Sequence, residues 1–330
     1  MPLVTSKELL TAAEKGDYGV GAFNAINMES AQAIFEAAEI ERAPFILQVT
    51  QTTLGYTEPE ELVACIKALA KKSSVPMALH LDHGRSFQKV MQFLGLGFTS
   101  VMIDGSLQED GKAPRSWDEN IEITKKCVEA AHAIGVTVEG EFGMLGEIGK
   151  DLEKGSDSLT DPDMAVKFVQ ETGIDMLAVG VGTAHGLFKG TPYIDHERLK
   201  EIDAKVSVPL VMHGSTGVAD VDIQGGIKEG IRKINYDTGI RVSFLESVQV
   251  EMKKIEKSWA DADATGGVRK YDIRAILKPG RAAMVEAVRD RMRVFYSSGK
   301  ADLGCCSGSS VNEAKAAEKA RETEIAKVLE

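Results

Sequence analysis

Cysteine is scarce in this chain. Cys65, Cys127, Cys305 and Cys306 are the only four in 330 residues, too few and too irregularly spaced for a disulfide framework or a thiolate zinc site. A basic excess is also missing: 39 Lys and Arg face 50 Asp and Glu, a net charge of −11. Neither nucleic acid nor an anionic membrane is an expected partner for such a surface. No apolar run approaches the roughly 20 residues that span a bilayer. The opening MPLVTSKELL lacks the basic-then-apolar pattern of an export signal, so a cytoplasmic location is expected. What is present is ordinary for a folded protein. Hydrophobic residues at 43% and charged residues at 27% exclude a disordered or collagen-like chain. The length suits either two domains of about 150 residues or one α/β barrel.

Short β-branched or apolar runs alternate with longer helical patterns. Candidate strands are Gly19–Phe23, Phe45–Val49, Pro76–Asp82, Thr99–Asp104, Val136–Glu141, Asp175–Val181, Val208–His213 and Ile231–Asn235. Candidate helices between them are Met28–Glu41, Pro59–Lys72, Ser86–Leu94, Asp118–Ala133, Asp161–Glu171, His196–Ala204 and Asp220–Glu229. Asn27, Thr57 and Thr160 stand where helix caps belong. Runs such as FILQVT and DMLAVGV are nearly continuous in apolar character, as strands buried on both faces should be. Eight strands each followed by a helix give a (β/α)8 TIM barrel. Two more helices, Thr238–Trp259 and about Pro279–Tyr296, flank a loop Ala260–Tyr271. The chain therefore divides into a barrel with C-terminal helices over residues 1–299 and a Gly/Ser linker with charged tail over 300–330.

In such a barrel, catalytic groups sit at the C-terminal ends of the strands. Those ends carry Asn24, Gln51–Thr53, Asp82, His83, Asp104, Glu141, His185, His213, Asn235 and Asp237. Of six histidines, His83, His185 and His213 stand there, and three imidazoles with an open position make a catalytic zinc set. His80 lies inside its strand and suits a core or supporting role, while His132 and His196 read as solvated or capping. Asp104 and Glu141 close adjacent strands, so their carboxylates could share an ion or orient the ligand histidines. HGSTG (213–217) and NYDTG (235–239) follow strands seven and eight. Small residues before a helix at those positions form the usual phosphate site of a barrel.

The segments LHLDHG (79–84), SVMIDGS (100–106), VEGEFGMLG (138–146), AVGVGTAHG (178–186), HGSTGV (213–218) and KINYDT (233–238) resemble the class II, zinc-dependent ketose-bisphosphate aldolases. That group includes fructose-1,6-bisphosphate and tagatose-1,6-bisphosphate aldolases. The match runs in register from GAFNAIN (21–27) to about Gly299. The resemblance implies that His83, His185 and His213 hold zinc, that Asp82 is the proton donor, and that Asp104 and Glu141 match a second divalent-metal position. It implies that Gly186, Gly214, Thr216, Asn235, Asp237 and Thr238 bind dihydroxyacetone phosphate, with a monovalent cation near that phosphate. Asn24 and Ser215 join the substrate-binding set. YDIR (271–274) looks like the family's late Asp-Pro-Arg segment, which implies a role for Arg274 at the far phosphate. A homodimer or homotetramer follows from the same likeness.

The chain departs from the family in three places. Gly214-Ser215-Thr216 replaces Gly-Gly-Ser, so Ser215 restricts the turn and offers a hydroxyl to the phosphate. The acidic cluster after Gly143 reads MLGEIGKDLEKGSD, where Glu147, Asp151 and Glu153 compete as proton-abstracting base, with Glu147 the first choice. Arg85 stands where a small residue is common. The expected reaction is reversible cleavage of a ketose 1,6-bisphosphate, foremost fructose 1,6-bisphosphate, to dihydroxyacetone phosphate and glyceraldehyde 3-phosphate through a zinc-stabilised enediolate. The alternatives are an aldolase for tagatose 1,6-bisphosphate or a sulfonated ketose phosphate, a zinc hydrolase, a Schiff-base aldolase using Lys233, and a non-catalytic phosphosugar-binding barrel.

Overall fold

A computed structural model of the protein describes residues 3–143, 159–183 and 192–303. Eight parallel strands close into a barrel in sequence order. The first half is α1 (Ser6–Gly16), β1 (Val20–Asn24), α2 (Met28–Glu41), β2 (Phe45–Thr50), α3 (Pro59–Ala70), β3 (Met77–Gly84), α4 (Phe87–Gly95) and β4 (Ser100–Asp104). The second half is α5 (Trp117–His132), β5 (Thr137–Glu141), α6 (Pro162–Thr172), β6 (Met176–Ala178), α7 (His196–Lys205), β7 (Leu210–Met212), α8 (Asp220–Lys228) and β8 (Ile231–Tyr236). Two long helices follow, α9 (Thr238–Thr265) and α10 (Arg274–Val294).

The larger core lies between strands and outer helices. A smaller one fills the barrel, where Ala22, Ile46, Ala78, Met102 and Val211 meet Leu9, Leu10 and Ala13 of α1. Inward positions recur every second residue. Ile46–Gln48, Ala78–His80–Asp82 and Ala22–Asn24 are therefore ladders that turn from apolar to polar toward the C-terminal mouth. The strand register sets these polar residues side by side: Asn24 pairs with Gln48, Thr50 with Asp82, and Asp104 with Glu141.

Several local expectations are corrected. Helix α1, capped by a Thr5–Glu8 capping box, has no counterpart in the sequence reading. It plugs the N-terminal end of the barrel. Asn27 does cap α2, but Thr57 and Thr160 are not caps. Glu58 and Asp161 hold those positions, and the Asp161 carboxylate accepts from Asp163 and Met164 N–H. The expected loop from Ala260 is helical as far as Thr265, and α10 starts at Arg274, so Pro279 lies inside it. A proline suits the first turn best, which is why the sequence alone placed the start too late.

Asp175, just before β6, ties three elements together. Its carboxylate accepts from Val138 N–H at 2.9 Å and His132 Nε2 at 2.8 Å, and pairs with Lys7 Nζ at 3.0 Å. Burial alone would push this carboxyl up, but these bonds hold it below the ordinary range. A depressed folded-state pKa stabilises above the unfolded value of about 3.9 and is lost as pH falls through the folded one. Asp175→Asn should therefore lower stability at neutral pH and flatten the loss of stability below about pH 4. Urea melts at pH 3 and pH 7 check this. An unchanged pH dependence would show that Asp175 contributes no linkage.

Candidate active site

The carboxylate and imidazole of two consecutive residues converge on one cluster. In a regular strand, neighbours point to opposite faces. Here the β3–β4 register shifts between Leu81 and Gly84, and His83 takes a left-handed conformation at φ 54°. Such a backbone costs a non-glycine residue about 1–3 kcal/mol. The irregularity re-aims the side chain. The donor atoms of Asp82, His83 and His213 consequently lie within 4.8 Å of one another, and so do those of His83, Asp104 and Glu141. The His83 and His213 rings sit 4.9 Å apart, edge to face.

Several of these groups are held from behind. The Asp82 Oδ2 accepts from Asn24 Nδ2 at 2.9 Å, and Asn24 Oδ1 accepts from Gln48 Nε2 at 2.7 Å. Asp104 Oδ1 accepts from the Ser106 hydroxyl at 2.6 Å, and its Oδ2 stands 3.3 Å from His83 Nδ1. Arg85 Nε approaches that same Oδ2 at 3.6 Å. The main-chain carbonyl of His213 accepts from the Thr183 hydroxyl at 2.7 Å.

The electrostatics call for a cation. Burial would lower His83, but Asp82, Asp104 and Glu141 around it raise it to about 10. Burial and the neighbouring Asp104 charge push Glu141 well above the carboxylate range. Burial would also raise Asp82, yet His83, His213, Lys233 and the Asn24 bond bring it below that range. Asp82 Oδ1 and Glu141 Oε2 are buried without a hydrogen-bond partner. Orphaned carboxylate oxygens beside two imidazoles are the donor set a divalent ion satisfies. The residues fit such an ion.

Beside this cluster lie the two Gly-containing loops. Gly214 and Gly217 have φ of 65° and 87°, which a side chain would oppose. The Ser215 hydroxyl (2.6 Å) and N–H (3.4 Å) both donate to the Asn235 carbonyl. Thr216 Oγ1 accepts from Gly239 N–H at 3.2 Å, so the two loops brace each other at the start of α9. Both Ser215 donors are thus engaged within the loop. Burial lifts Asp237 to about 6 against the opposing effect of Arg241, whose guanidinium pairs with Asp237 Oδ2 at 2.5 Å.

His185, Gly186, Glu147, Asp151 and Glu153 lie outside the described residues. Arg274 is not part of the hydrogen-bonded set. It is 84% exposed at the start of α10 and pairs with Asp272 at 2.9 Å.

Residues 4–300 match the family described as fructose-bisphosphate aldolase class-II. The chain belongs to that family. It is 40% identical to a fructose-bisphosphate aldolase from Thermus caldophilus, over 91% of this chain and all of that one. It is 36% identical to a sulfofructosephosphate aldolase from Alkalicoccus urumqiensis, over 91% of this chain and 99% of that one. Among solved structures, the YdjI aldolase from Escherichia coli K12 superposes with a TM-score of 0.77 at 30% identity, covering 91% of this chain and 100% of that one. The chain is therefore a class II aldolase, in a family that is zinc-dependent in general.

The aldolase also carries residues at this site that the sequence reading passed over. Gln48, Glu139 and Arg241 are three, and the role of Lys233 is another. Lys233 is fully buried, with Nζ 2.8 Å from Glu139 Oε2 and donating to Asn235 Oδ1 at 2.7 Å. A lysine engaged on both sides in this way is not an available Schiff-base nucleophile. Period two would have revealed the pattern: Glu139 precedes Glu141 and Lys233 precedes Asn235 by two, just as His80 precedes Asp82.

Proposed function

We propose that this aldolase reversibly cleaves fructose 1,6-bisphosphate to dihydroxyacetone phosphate and glyceraldehyde 3-phosphate, with one zinc held by His83, His185 and His213. The observation that carries the reading is the convergence of Asp82, His83 and His213 within 4.8 Å beside the braced loops 214–217 and 235–239. When bound, zinc supplies Lewis acidity to the carbonyl and hydroxyl oxygens of the phosphosugar. Asp82, ionised and steadied by Asn24, takes the proton from the hydroxyl on the carbon that becomes the aldehyde, and returns it in condensation. Glu147, or its rivals Asp151 and Glu153, exchanges the proton on the dihydroxyacetone phosphate carbon.

Gly186, Gly214, Thr216, Asn235, Asp237 and Thr238 hold the near phosphate, with Ser215 keeping the loop in shape and a monovalent cation alongside. Main-chain N–H groups at a helix start favour an anion there. Asp104 and Glu141, with His83, offer a second divalent position, and Arg274 is assigned to the far phosphate. Helix α9 has Ile240 as its one buried residue among the described ones, and Leu245, Val250, Val268, Tyr271 and Ile273 are exposed along the α9–α10 arm. Covering that arm by a second copy makes the protein a homodimer or a homotetramer. No helix among the described residues is long and apolar enough to cross a membrane. A cytoplasmic enzyme, built as a unit over 1–299 with a tail over 300–330, completes the reading.

The sulfofructosephosphate aldolase relative makes a sulfonated ketose phosphate the second candidate. Cleavage of fructose 1,6-bisphosphate, tagatose 1,6-bisphosphate and sulfofructose phosphate, measured side by side, decides between them. The highest kcat/KM is expected for fructose 1,6-bisphosphate, and unphosphorylated fructose should be a very poor substrate, because binding of the non-reacting phosphate assists the chemical step. Equal kcat/KM for fructose and its bisphosphate would remove the phosphate loops from the mechanism.

A further inference from the structure

Below the metal-type cluster the barrel interior carries a second polar layer. His80 from β3, Glu139 from β5 and Lys233 from β8 all point inward and are fully buried. Glu139 is the hub. Its Oε1 lies 2.9 Å from His213 Nε2, and its Oε2 lies 2.8 Å from Lys233 Nζ and 3.4 Å from His80 Nε2. His80 Nδ1 is in turn 2.7 Å from the Ser100 hydroxyl. An ion pair wholly removed from water carries a large desolvation cost and is weak evidence of a stabilising role. Its directional bonds show what it does instead.

A carboxylate only accepts hydrogen bonds. Glu139 therefore selects the His213 tautomer with the proton on Nε2, which assigns the lone pair, and so the ligating role, to Nδ1. An ammonium only donates. Lys233 therefore takes the oxygen of the Asn235 amide, and the Nδ2 hydrogens become what Asn235 presents to other partners. Those are donors, suited to the oxygens of a phosphosugar. Without Lys233 the amide has no reason to keep that orientation, and Glu139 stands uncompensated beside His213.

We propose that the Glu139–Lys233 pair is a positioning element that makes His213 a metal ligand and Asn235 a hydrogen-bond donor at the same time. This rests on the reading of the site as that of a zinc aldolase. The pair joins metal affinity to substrate affinity through one cation, although Lys233 touches neither the metal nor the sugar.

The test measures zinc affinity by chelator competition without substrate, and dihydroxyacetone phosphate affinity by calorimetry on zinc-loaded protein. Lys233→Met should lose ~10–100-fold in zinc affinity, the range seen when a group supporting a metal ligand is removed, and should lose dihydroxyacetone phosphate affinity as well. Asn235→Ala should lose dihydroxyacetone phosphate affinity alone. Should Lys233→Met fail to fold with its uncompensated carboxylate, Glu139→Gln/Lys233→Met removes both charges together. That double variant should fold, and it should still bind zinc at least tenfold more weakly than the wild type, because an amide accepts less strongly than a carboxylate. Wild-type zinc affinity in a folded Lys233→Met or double variant overturns this inference and leaves the aldolase reading standing. So does Asn235→Ala weakening zinc as much as Lys233→Met. A wild type that binds no zinc at all overturns both.

Discussion

Replacement of His213 by alanine is expected to abolish zinc retention and aldol cleavage together. His213 closes β7 with its ring 4.9 Å from that of His83, and its imidazole is held by Glu139. Alanine removes the donor and leaves Glu139 without that partner. Lewis-acid stabilisation is worth several kcal/mol, and each ~1.4 kcal/mol is tenfold in rate. The fall in kcat/KM should therefore be about 10³-fold or more. His83→Ala should behave alike, and a chelator should silence the wild type until zinc or cobalt is restored. Metal content by elemental analysis, measured on the same samples as cleavage, checks the link. A variant that loses its zinc yet keeps its activity, or a metal-free wild type at full rate, would rule out this chemistry.

Asp82→Asn should separate the two proton transfers proposed for the native enzyme. Asparagine retains an oxygen to accept from Asn24 Nδ2, so the local geometry survives, but it cannot take up or release the proton. Cleavage should fall by a factor on the order of 10² or more. Exchange of the carbon-bound hydrogen of dihydroxyacetone phosphate with solvent should persist far better, because the proposed base for that proton is an acid among residues 147–153. Replacing that acid, Glu147 in the first instance, should suppress exchange and cleavage together. The two acids thus have opposite exchange phenotypes. If Asp82→Asn keeps its full zinc content and loses exchange as completely as cleavage, Asp82 is not a dedicated aldehyde-side acid.

Much of the architecture is legible in the residues alone. Continuous apolar runs such as Phe45–Thr50 can satisfy their backbone only inside a parallel sheet covered on both faces. The eight predicted strands coincide with the observed ones to within a few residues, since apolar periodicity reports burial directly. Helix ends are harder to read. Thr160 looks like a cap, yet its hydroxyl accepts from Gly180 N–H, a residue of the strand β6 connection that no local window contains. Helix α1 escaped because its short amphipathic pattern competes with ordinary surface, and only the open end of the barrel gives it something to bury.

The site divides along the same line. Polar residues at strand ends, and histidines among them, are a property of the sequence once a barrel is inferred, and that is how His83, His213, Asp82, Asp104, Glu141 and Asn235 could be named. Only the tertiary structure decided that adjacent Asp82 and His83 meet in one cluster, because that depends on a bulge against β4 and a left-handed backbone at His83. It also decided that Lys233 is a buried counter-ion of Glu139 rather than a nucleophile. That pairing joins two strands that are not neighbours in the barrel wall and exists only because the barrel closes. Periodicity is local along the chain and so can say which face a side chain takes. What it meets there depends on register and closure, which are set by every strand at once.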